Sequence, residues 1–476
     1  MPITHGLGLM TSTIAALMVP AEAHAWRFHA DHVLGTSLDL TVVAKKPLAA
    51  ALAIDAARSE IARLDAILSG WRSDSELIAL NAADTMTVSP DLFAVIMACE
   101  RWRAISGGAY SARIGKLLTA CDPSLAAQIQ AADVRLDPGN RTIHRPRNVV
   151  FAVDGLAKGY VIDRALAAAA CVPGVDGMMV DIGGDLKCWG AAPDNARWRI
   201  GMVDAANPAD NAPSLSHLRI ANQAVATSGL SARRQVILSP RTGARMEHTV
   251  YATAVADSAA DADALATAFS VLPPRESVHL ADRMSNVAAR IVTKDGETFA
   301  SERWKNFCGS TPAALPVAVA QGQNGTAWPT GFSLNIEYEV PKINTGTYHN
   351  PYVAIWITDE NRALIRTMLV LGNETRYREE NYVYWRRFGR LDAKLVDSVT
   401  RPTRAPGHYT IKWDGLDDAG KKVPQGKYIL NIEASREKGG HSVQRLELTL
   451  GGDAAVLEAK PDGEVGRVRA TFGRSL

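Results

Sequence analysis

The periodicity of the apolar residues changes once along this chain, near residue 307, and the change limits the folds open to it. Before it, helical segments such as residues 48–67 and 258–271 alternate with short strand-like runs, without a steady βαβ rhythm. From residue 332 onward only short alternating runs remain, separated by turn residues. A mixed segment followed by a strand-only segment predicts an α+β domain and then a small all-β sandwich.

Composition divides the chain into four segments. Residues 1–25 contain an apolar, alanine-rich run and an A-x-A pattern that ends at Ala25, which is typical of a cleaved secretory signal peptide. A buried N-terminal helix is the alternative interpretation of this run. We expect the α+β domain at residues 26–307, a linker rich in Pro, Ala, Gly and Gln at 308–331, and the sandwich at 332–476. The mature protein would then be exported, to the periplasm or beyond.

Charge and cysteine content exclude several classes of partner. The 476 residues contain 52 Lys and Arg against 50 Asp and Glu, and no basic tract. A nucleic acid is therefore not an expected partner. Five scattered cysteines without a CxxC pair argue against a structural zinc site. After the N-terminal run, no apolar stretch has the length of a membrane span, so no stable membrane span is expected.

Residues 151–163, reading FAVDGLAKGYVID, form the most distinctive stretch of the first domain. We expect a strand, a tight turn containing Gly155 and Gly159, and a helix that begins near Tyr160. The free N–H groups and partial positive charge of a helix N-terminus suit an anion such as phosphate. Plain packing of the two glycines is the alternative.

A carboxylate and a hydroxyl lie four residues apart on the predicted helix at 258–271. Asp263 and Thr267 should share one face of that helix. Both offer hard oxygen ligands of the kind Mg²⁺ prefers, with room left for water and phosphate oxygens. The alternative is a solvated Asp beside a Thr bonded to its own helix, and Asp257 and Asp261 keep the choice of carboxylate open.

Eight motifs follow one another between residues 30 and 305. They are LGTSLDLTV (34–42), LSGWRSDSELIALN (68–81), SGGAY (106–110), VDGLAKGYVIDRA (153–165), VDIGGDLKCWG (180–190), AVATSG (224–229), SPRTG (239–243) and DALATAFSVL (263–272). In this order they resemble the FAD:protein FMN transferases, the ApbE-type flavin transferases. The ordered set is far more specific than any single motif.

The resemblance implies a Mg²⁺-dependent enzyme that moves FMN from FAD to a Ser or Thr hydroxyl of an exported partner protein and releases AMP. One or two Mg²⁺ ions would lie at the FAD pyrophosphate, held by the Ala157 carbonyl, Asp263 and Thr267. Lys158 could reach a phosphate and would join Asp263 and Thr267 as a catalytic residue. The implied FAD contacts are Leu34, Trp71, Ala109, Tyr110, Ser111, Asp154 and Tyr160.

Three positions depart from the family pattern. Val236 and Ser239 stand where the family usually carries a His and an Asp before the SPRTG turn, and Ser111 stands where it usually carries an Asp. These departures concern the transfer step more than FAD binding. They leave two alternatives, a flavin-binding or scaffold protein without transfer, and an FAD pyrophosphatase. His248, on the next strand, could replace the missing His, although a surface His is the simpler interpretation.

The strand-rich tail carries matching stretches of its own. They are PYVAIWITD (351–359), Trp385, SVTRPTRAPGHYTIKWDG (398–415) and PQGKYILNIEASRE (424–437). They resemble an uncharacterised, immunoglobulin-like domain found behind flavin transferases in exported proteins. Trp356, Trp385 and Trp413 are predicted to be core or sheet-face aromatics rather than a ligand platform.

Overall fold

The computed structural model describes two domains, one α+β and one all-β, as predicted. The described residues are 24–120, 122–193, 197–202, 216–229, 237–246, 248–308, 326–343, 349–372, 380–389, 399–401, 403–437, 439–451 and 453–474. Residues 1–23 of the predicted signal peptide and Val236 lie outside them. Within these ranges no helix combines the length and apolar character needed to cross a bilayer.

The first domain is built on an eight-stranded sheet in which all neighbouring strands are antiparallel. Its order is β1-β2-β6-β7-β10-β11-β12-β13. The strands of the domain are β1 (His24–Val33), β2 (Thr36–Ala44), β3 (Thr85–Thr87), β4 (Arg135–Asp137), β5 (Thr142–His144), β6 (Val175–Ile182), β7 (Asp185–Gly190), β8 (Trp198–Met202), β9 (Ser216–Ile220), β10 (Ala224–Gly229), β11 (Thr249–Ala256), β12 (Ala288–Thr293) and β13 (Thr298–Ala300).

Helices cover one face of this sheet and a hairpin covers the other. The helices are α1 (Pro47–Leu68), α2 (Glu76–Ala82), α3 (Pro90–Ile105), α4 (Leu117–Ala120), α5 (Pro123–Gln130), α6 (Asp154–Ala170), α7 (Ala259–Val271) and α8 (Pro274–Asp282), followed by a 3₁₀ helix (Glu302–Asn306). Successive side chains of a strand point to opposite faces of the sheet. On β2, Leu40 and Val42 therefore pack against the helices, whereas Val43 packs with β8 and β9.

The prediction of a strand and a glycine turn in residues 149–159 is wrong. Residues 149–153 make a single bridge, between Val150 and Ile114, and α6 begins at Asp154, six residues before the expected start. Gly155 and Gly159 therefore lie inside the helix. A Cβ atom at Gly159 would lie 2.1 Å from the Ala259 carbonyl oxygen, so the glycine allows α6 to pack directly on α7.

The second domain consists of two packed sheets. One has the order β18-β14-β22-β21 and the other β17-β16-β15-β19-β20. The strands are β14 (Phe332–Val340), β15 (Tyr352–Asp359), β16 (Leu364–Leu371), β17 (Thr400–Arg401), β18 (Gly407–Trp413), β19 (Gly426–Ser435), β20 (His441–Leu450), β21 (Ala455–Ala459) and β22 (Val468–Arg474), and a short helix α9 (Tyr382–Arg387) lies between β16 and β17 in the chain.

Aromatic residues fill the space between and outside these sheets. Trp413 lies in the core between the sheets, while Trp356 is buried with Tyr384 of α9 in a separate cluster. Trp385 packs against that second cluster and is half-buried. Trp328 also belongs to the sandwich core, although composition assigned its segment to the linker. The packed part of the second domain therefore begins before Phe332.

Candidate functional site

Two oxygen-bearing side chains of α7 meet the first turns of α6. Asp263 is buried, and its Oδ2 accepts a hydrogen bond from the Gly159 N–H at 3.2 Å. Thr267 follows one turn later on the same face of α7. A Cβ atom at Gly155 would lie 3.0 Å from its Oγ1, so the second glycine gives this hydroxyl its room. The structure thus brings the predicted pair to the start of α6.

One carboxylate outside the predicted set fixes these two helices. Asp163 of α6 accepts hydrogen bonds from the N–H groups of Ala259 and Ala260, both at 3.0 Å, and pairs with Lys187 of β7 at 2.7 Å. Ser258 caps the same helix end by accepting a hydrogen bond from the Asp261 N–H. Together Asp163 and Ser258 satisfy the N–H groups that a helix start leaves free, so α7 is held at its first turn.

Lys158 points into a group of acids. Its Nζ forms an ion pair with Asp185 at the start of β7, and Asp185 also accepts from the Thr227 N–H at 3.0 Å. Burial opposes the charge of Lys158, but Asp185, Asp263 and Asp181 together hold its pKa above the usual range. The ammonium group is therefore already committed to a carboxylate.

Burial and neighbouring charge also act on the acids themselves. Burial, together with the nearby Asp185, raises the pKa of Asp263 to about 8. Desolvation likewise raises the pKa of Asp181 to about 7, and its Oδ1 accepts from the Gly184 N–H at 2.8 Å. A further cation beside Asp263 would favour the ionised carboxylate, which is the electrostatic setting of a metal ligand.

The SGGAY motif forms a buried wall next to α6. Ala109, Tyr110 and Ser111 are all buried, and the Tyr110 ring lies 3.4 Å from the position of a Cβ at Gly155. The Tyr110 hydroxyl lies 3.1 Å from the Cys99 sulfur, and Ser111 Oγ accepts from the Arg113 N–H at 3.2 Å. The Tyr110 and Ser111 hydroxyl groups are therefore already bonded within the protein.

The other predicted FAD contacts differ widely in exposure. Tyr160 is half-buried and its hydroxyl donates to Asp91 Oδ1 at 2.7 Å. Leu34 has a positive φ of 50° in the turn after β1, and Asp154 is exposed at the first residue of α6. Trp71 is 92% exposed in the loop after α1. The structure leaves the Trp71 ring open to a ligand, whereas burial raises the pKa of the Asp154 carboxyl group.

The donor atoms near α7 fit Mg²⁺ better than a metal that needs several side-chain ligands. No cluster of three or more His, Cys, Asp or Glu side chains arranged for a metal occurs in the described part of the chain. Within that part, Asp263 has the Gly159 N–H as its single hydrogen-bond donor, and the Thr267 hydroxyl has no partner. Mg²⁺ takes few protein ligands and keeps waters and phosphate oxygens, so this sparse oxygen set suits it.

Ala157 is the predicted backbone ligand of Mg²⁺. It is buried inside α6, where a regular helix commits its carbonyl to the N–H of Val161. Its part as a metal ligand stays a prediction.

Two family models match the chain. The model described as "ApbE family" matches residues 34–291, and the one described as "Predicted periplasmic protein (DUF2271)" matches residues 333–467. The first match covers more than half of the chain. The chain belongs to the ApbE family. The resemblance that the eight ordered motifs indicated is thereby confirmed, and so is the recurrence of the tail as a domain of its own.

Known proteins agree with this assignment. The FAD:protein FMN transferase of Chlamydia muridarum is 25% identical over 243 residues, which are 45% of this chain and 73% of that protein. The transferase of Escherichia coli K12 is 24% identical over 279 residues, 51% of this chain and 78% of that protein. Crystal structures of the apo flavinyl transferase ApbE of Pseudomonas stutzeri and of the ApbE protein of Thermotoga maritima superpose with TM-scores of 0.52 and 0.53, at 21% and 23% identity. Each covers 60% of this chain and 99% of the neighbour, so the first domain has the ApbE fold.

The SPRTG turn of this ApbE domain is attached to the end of α3. Arg241 donates from Nε to the Gly107 carbonyl at 2.9 Å and from Nη2 to the Ser106 carbonyl at 3.0 Å. Ser239 is buried in the turn and donates its N–H to the Ala244 carbonyl. Arg241 therefore has a structural role here, whatever else it contacts.

His248 lies at the far end of α7 from the candidate metal ligands. Its Nε2 is 3.2 Å from the Leu272 carbonyl oxygen. Leu272 follows the candidate ligands Thr267 and Asp263 by five and nine residues, about 7 and 13 Å along the axis at the rise of an α-helix. A role for His248 in place of the family His stays a prediction.

Several positioning residues of the ApbE domain were missed because their partners are distant in sequence. Asn81 exchanges two hydrogen bonds with the Phe151 backbone, at 2.9 and 2.8 Å, and so fixes the segment that leads into α6. Asp163 and Asp185 lie within the quoted motifs, but spacing alone does not show which groups they bind. No local signal separates Asp163 and Asp185 from the other charged residues of these two motifs.

Proposed function

We propose that this chain is a Mg²⁺-dependent FAD:protein FMN transferase that acts on a Ser or Thr hydroxyl of an exported partner protein and releases AMP. One observation carries the proposal. In a chain of the ApbE family, a buried carboxylate and a hydroxyl lie together where α6 meets α7, and among the described residues the first has a single hydrogen bond and the second has none. Neighbouring polar groups with unused hydrogen-bonding capacity are typical of a ligand-binding site. The family model of the second domain, described as a predicted periplasmic protein, supports export.

Different residues of the chain would bind Mg²⁺, orient the metal ligands and bind FAD. Mg²⁺ held by Asp263 and Thr267, with Ala157 as the proposed backbone ligand, would neutralise charge on the FAD pyrophosphate. The Gly159 N–H orients the Asp263 carboxylate, and Lys158 keeps the neighbouring Asp185 neutralised. Trp71, Tyr160, Asp154 and the wall of Ala109, Tyr110 and Ser111 would bind FAD.

The overall transfer balances without a further reactant. The acceptor hydroxyl oxygen forms a bond to the phosphorus of the FMN moiety, the bond from that phosphorus to the bridging oxygen breaks, and AMP leaves with it. The hydroxyl proton is released. Positioning and charge neutralisation supply most of the acceleration in phosphoryl transfer, so the chain needs no covalent intermediate.

One experiment separates this proposal from its two alternatives. The purified chain is incubated with FAD and Mg²⁺, with and without a library of Thr- and Ser-containing peptides, and the products are identified by mass spectrometry. AMP together with an FMN-labelled peptide supports transfer, and peptides with Ala in place of Thr or Ser should stay unlabelled. AMP and free FMN without a peptide would indicate a pyrophosphatase. Binding of FAD without AMP would indicate a flavin-binding protein, which the departures at Ser111, Val236 and Ser239 favour.

A further inference from the structure

An open groove of about 440 Å³ lies between the end of α3, the SPRTG turn and α8. Its apolar lining comes from Ile105, Leu272 and Leu280. Ile105 is 40% exposed although it is a large apolar residue. Leu272 and Leu280 are each only 4% exposed, so Ile105 supplies most of the apolar surface that a ligand in the groove could contact.

Three arginines against one glutamate give the rim of this groove a net positive charge. Arg275, His279 and Arg283 follow one another at intervals of four along α8 and so share one face. All three are exposed, and no acidic side chain of the described residues pairs with them. Arg241 lies on the opposite wall, and its two carbonyl partners leave its charge in place. Among the described residues that line the groove, Glu276 is the single acid.

Several other arginines of the same domain form ion pairs. Arg63 pairs with Glu60 and Asp91, Arg113 with Glu100, and Arg164 with Glu60. Leaving the α8 arginines unpaired raises the local positive potential and attracts anionic groups.

The groove also adjoins the candidate site. Ser106 and Gly107 on its wall lead directly into the Ala109–Ser111 wall of the site. Leu272 follows Thr267 by five residues, about 7 or 8 Å along α7. An extended segment of two or three residues spans that distance, at about 3.3–3.6 Å per residue. A peptide in the groove can therefore reach the site.

We propose that this groove binds an acidic segment of the acceptor protein and so presents its hydroxyl residue to the site. The proposal rests on the proposed transferase function. Acidic side chains match the arginine rim, and an apolar side chain matches the floor formed by Ile105, Leu272 and Leu280. A small inorganic anion would leave that floor uncovered.

The test uses the full chain and two synthetic twelve-residue peptides, each with one Thr and one Leu, that differ only in carrying four Asp or four Lys. Binding is followed by fluorescence anisotropy at low and high salt. The acidic peptide should bind at least about tenfold more tightly than the basic one, and less tightly at high salt, as expected for charge-guided docking. The double variant Arg275→Glu and Arg283→Glu should abolish this preference while FAD affinity stays unchanged.

A matched control carries the same change of charge elsewhere. Arg135→Glu with Arg147→Glu replaces two exposed arginines outside the groove, and it should bind the acidic peptide as the parent does. Acidic-peptide binding that survives in the groove variant would overturn the proposal. So would displacement of the peptide by inorganic phosphate at equal concentration, which would identify a small-anion site.

Failure of the two proposals can be told apart. If the acidic peptide binds through Arg275 and Arg283 but FAD is never cleaved, the transferase function is lost and the docking surface stands. If transfer occurs with equal KM for acidic and basic acceptor peptides, the docking surface is lost and the function stands.

Discussion

The α6–α7 contact and the sandwich core are packed with side chains of opposite size. Between the helices, glycine and alanine bring two backbones together, as at Gly159 and Ala259. Between the sheets, large rings fill the space. The centroid of the Trp328 ring lies 5.1 Å from that of Trp413 and 5.3 Å from that of Phe472, both in edge-to-face contacts. Small residues leave side-chain-sized room for polar groups, whereas aromatic packing removes it.

Buried carboxylates show the functional side of this difference. In the sandwich, Glu433 accepts from the N–H groups of Val383 and Tyr384, at 2.8 Å each, and lies 2.7 Å from His441 Nε2. Asp263 is buried to a similar degree but has one hydrogen bond among the described residues. A saturated carboxylate stabilises a fold, while an under-used one keeps capacity for a ligand.

The largest expected effect is that of Asp263→Asn. The amide can still accept from Gly159 but cannot hold Mg²⁺ as a carboxylate does, so AMP formation should fall by about 10³-fold, or about 4 kcal/mol of barrier. The rate of AMP release under saturating FAD measures this. Release at the parental rate would show that Asp263 is not a metal ligand.

The same variant should change how stability depends on pH. Burial holds the pKa of Asp263 at about 8, against about 3.9 in an unfolded chain. The folded form therefore keeps a proton that the unfolded form loses, and this contribution to metal-free stability declines as pH rises from about 4 to about 8. In EDTA, the melting temperature of the parent should fall between pH 5 and 9 more than that of the Asn variant. Equal slopes would contradict the burial of this charge.

Trp413→Leu should act on the sandwich alone. Loss of the ring contacts and of the hydrogen bond from Nε1 to the Leu416 carbonyl should lower the free energy of unfolding of this domain by about 2–4 kcal/mol. Calorimetry of the full chain resolves it, with exposed Val456→Thr as the control. AMP formation should be unchanged, and a parallel loss would mean that the two domains are coupled.

Gly159→Ala tests the close helix contact directly. The added methyl would meet the Ala259 carbonyl at 2.1 Å, so α6 and α7 must separate at a cost of about 1–3 kcal/mol. AMP formation should fall as well, because Asp263 loses its orienting N–H. Gly70→Ala, where no atom lies within 4 Å, should change neither quantity. Normal activity in Gly159→Ala would show that the contact is not needed for the site.

The smallest effect is expected from Tyr160→Phe. It removes the hydrogen bond to Asp91, which keeps its ion pair with Arg63, so stability should fall by about 0.5–1.5 kcal/mol. FAD affinity, measured by titration, should be unchanged if only the ring contacts the flavin nucleotide. A clear rise in the dissociation constant would assign the hydroxyl to FAD instead of Asp91.

The strands of the sandwich were the part most accessible from sequence. The runs FSLNIEYEV and LIRTMLVL coincide with β14 and β16, because a short apolar run bounded by turn residues is a local property of the sequence. β21 and β22 were not recognised, although β22 alternates strictly, since Val468, Ala470 and Phe472 are buried and the residues between them are not. The Asp263–Thr267 pair was also predictable, because helical spacing alone puts both on one face.

The start of α6 could not be predicted in the same way. Glycine at positions 155 and 159 is locally typical of a turn. In the structure both glycines are required because α7, about a hundred residues later in the chain, packs directly on this part of α6. The pairing of Lys158 with Asp185 and the capping of α7 by Asp163 depend on the same long-range packing. Sequence predicted which groups matter at the site, and tertiary contacts decided how they are bound.

The exposed ring of Trp71 gives the protein an optical property. The other nine of its ten tryptophans are buried or half-buried, so Trp71 should supply the emission at the longest wavelength. Any molecule that covers this indole will shift or quench that part of the spectrum. The chain thus carries its own fluorescent reporter at a position predicted to contact FAD.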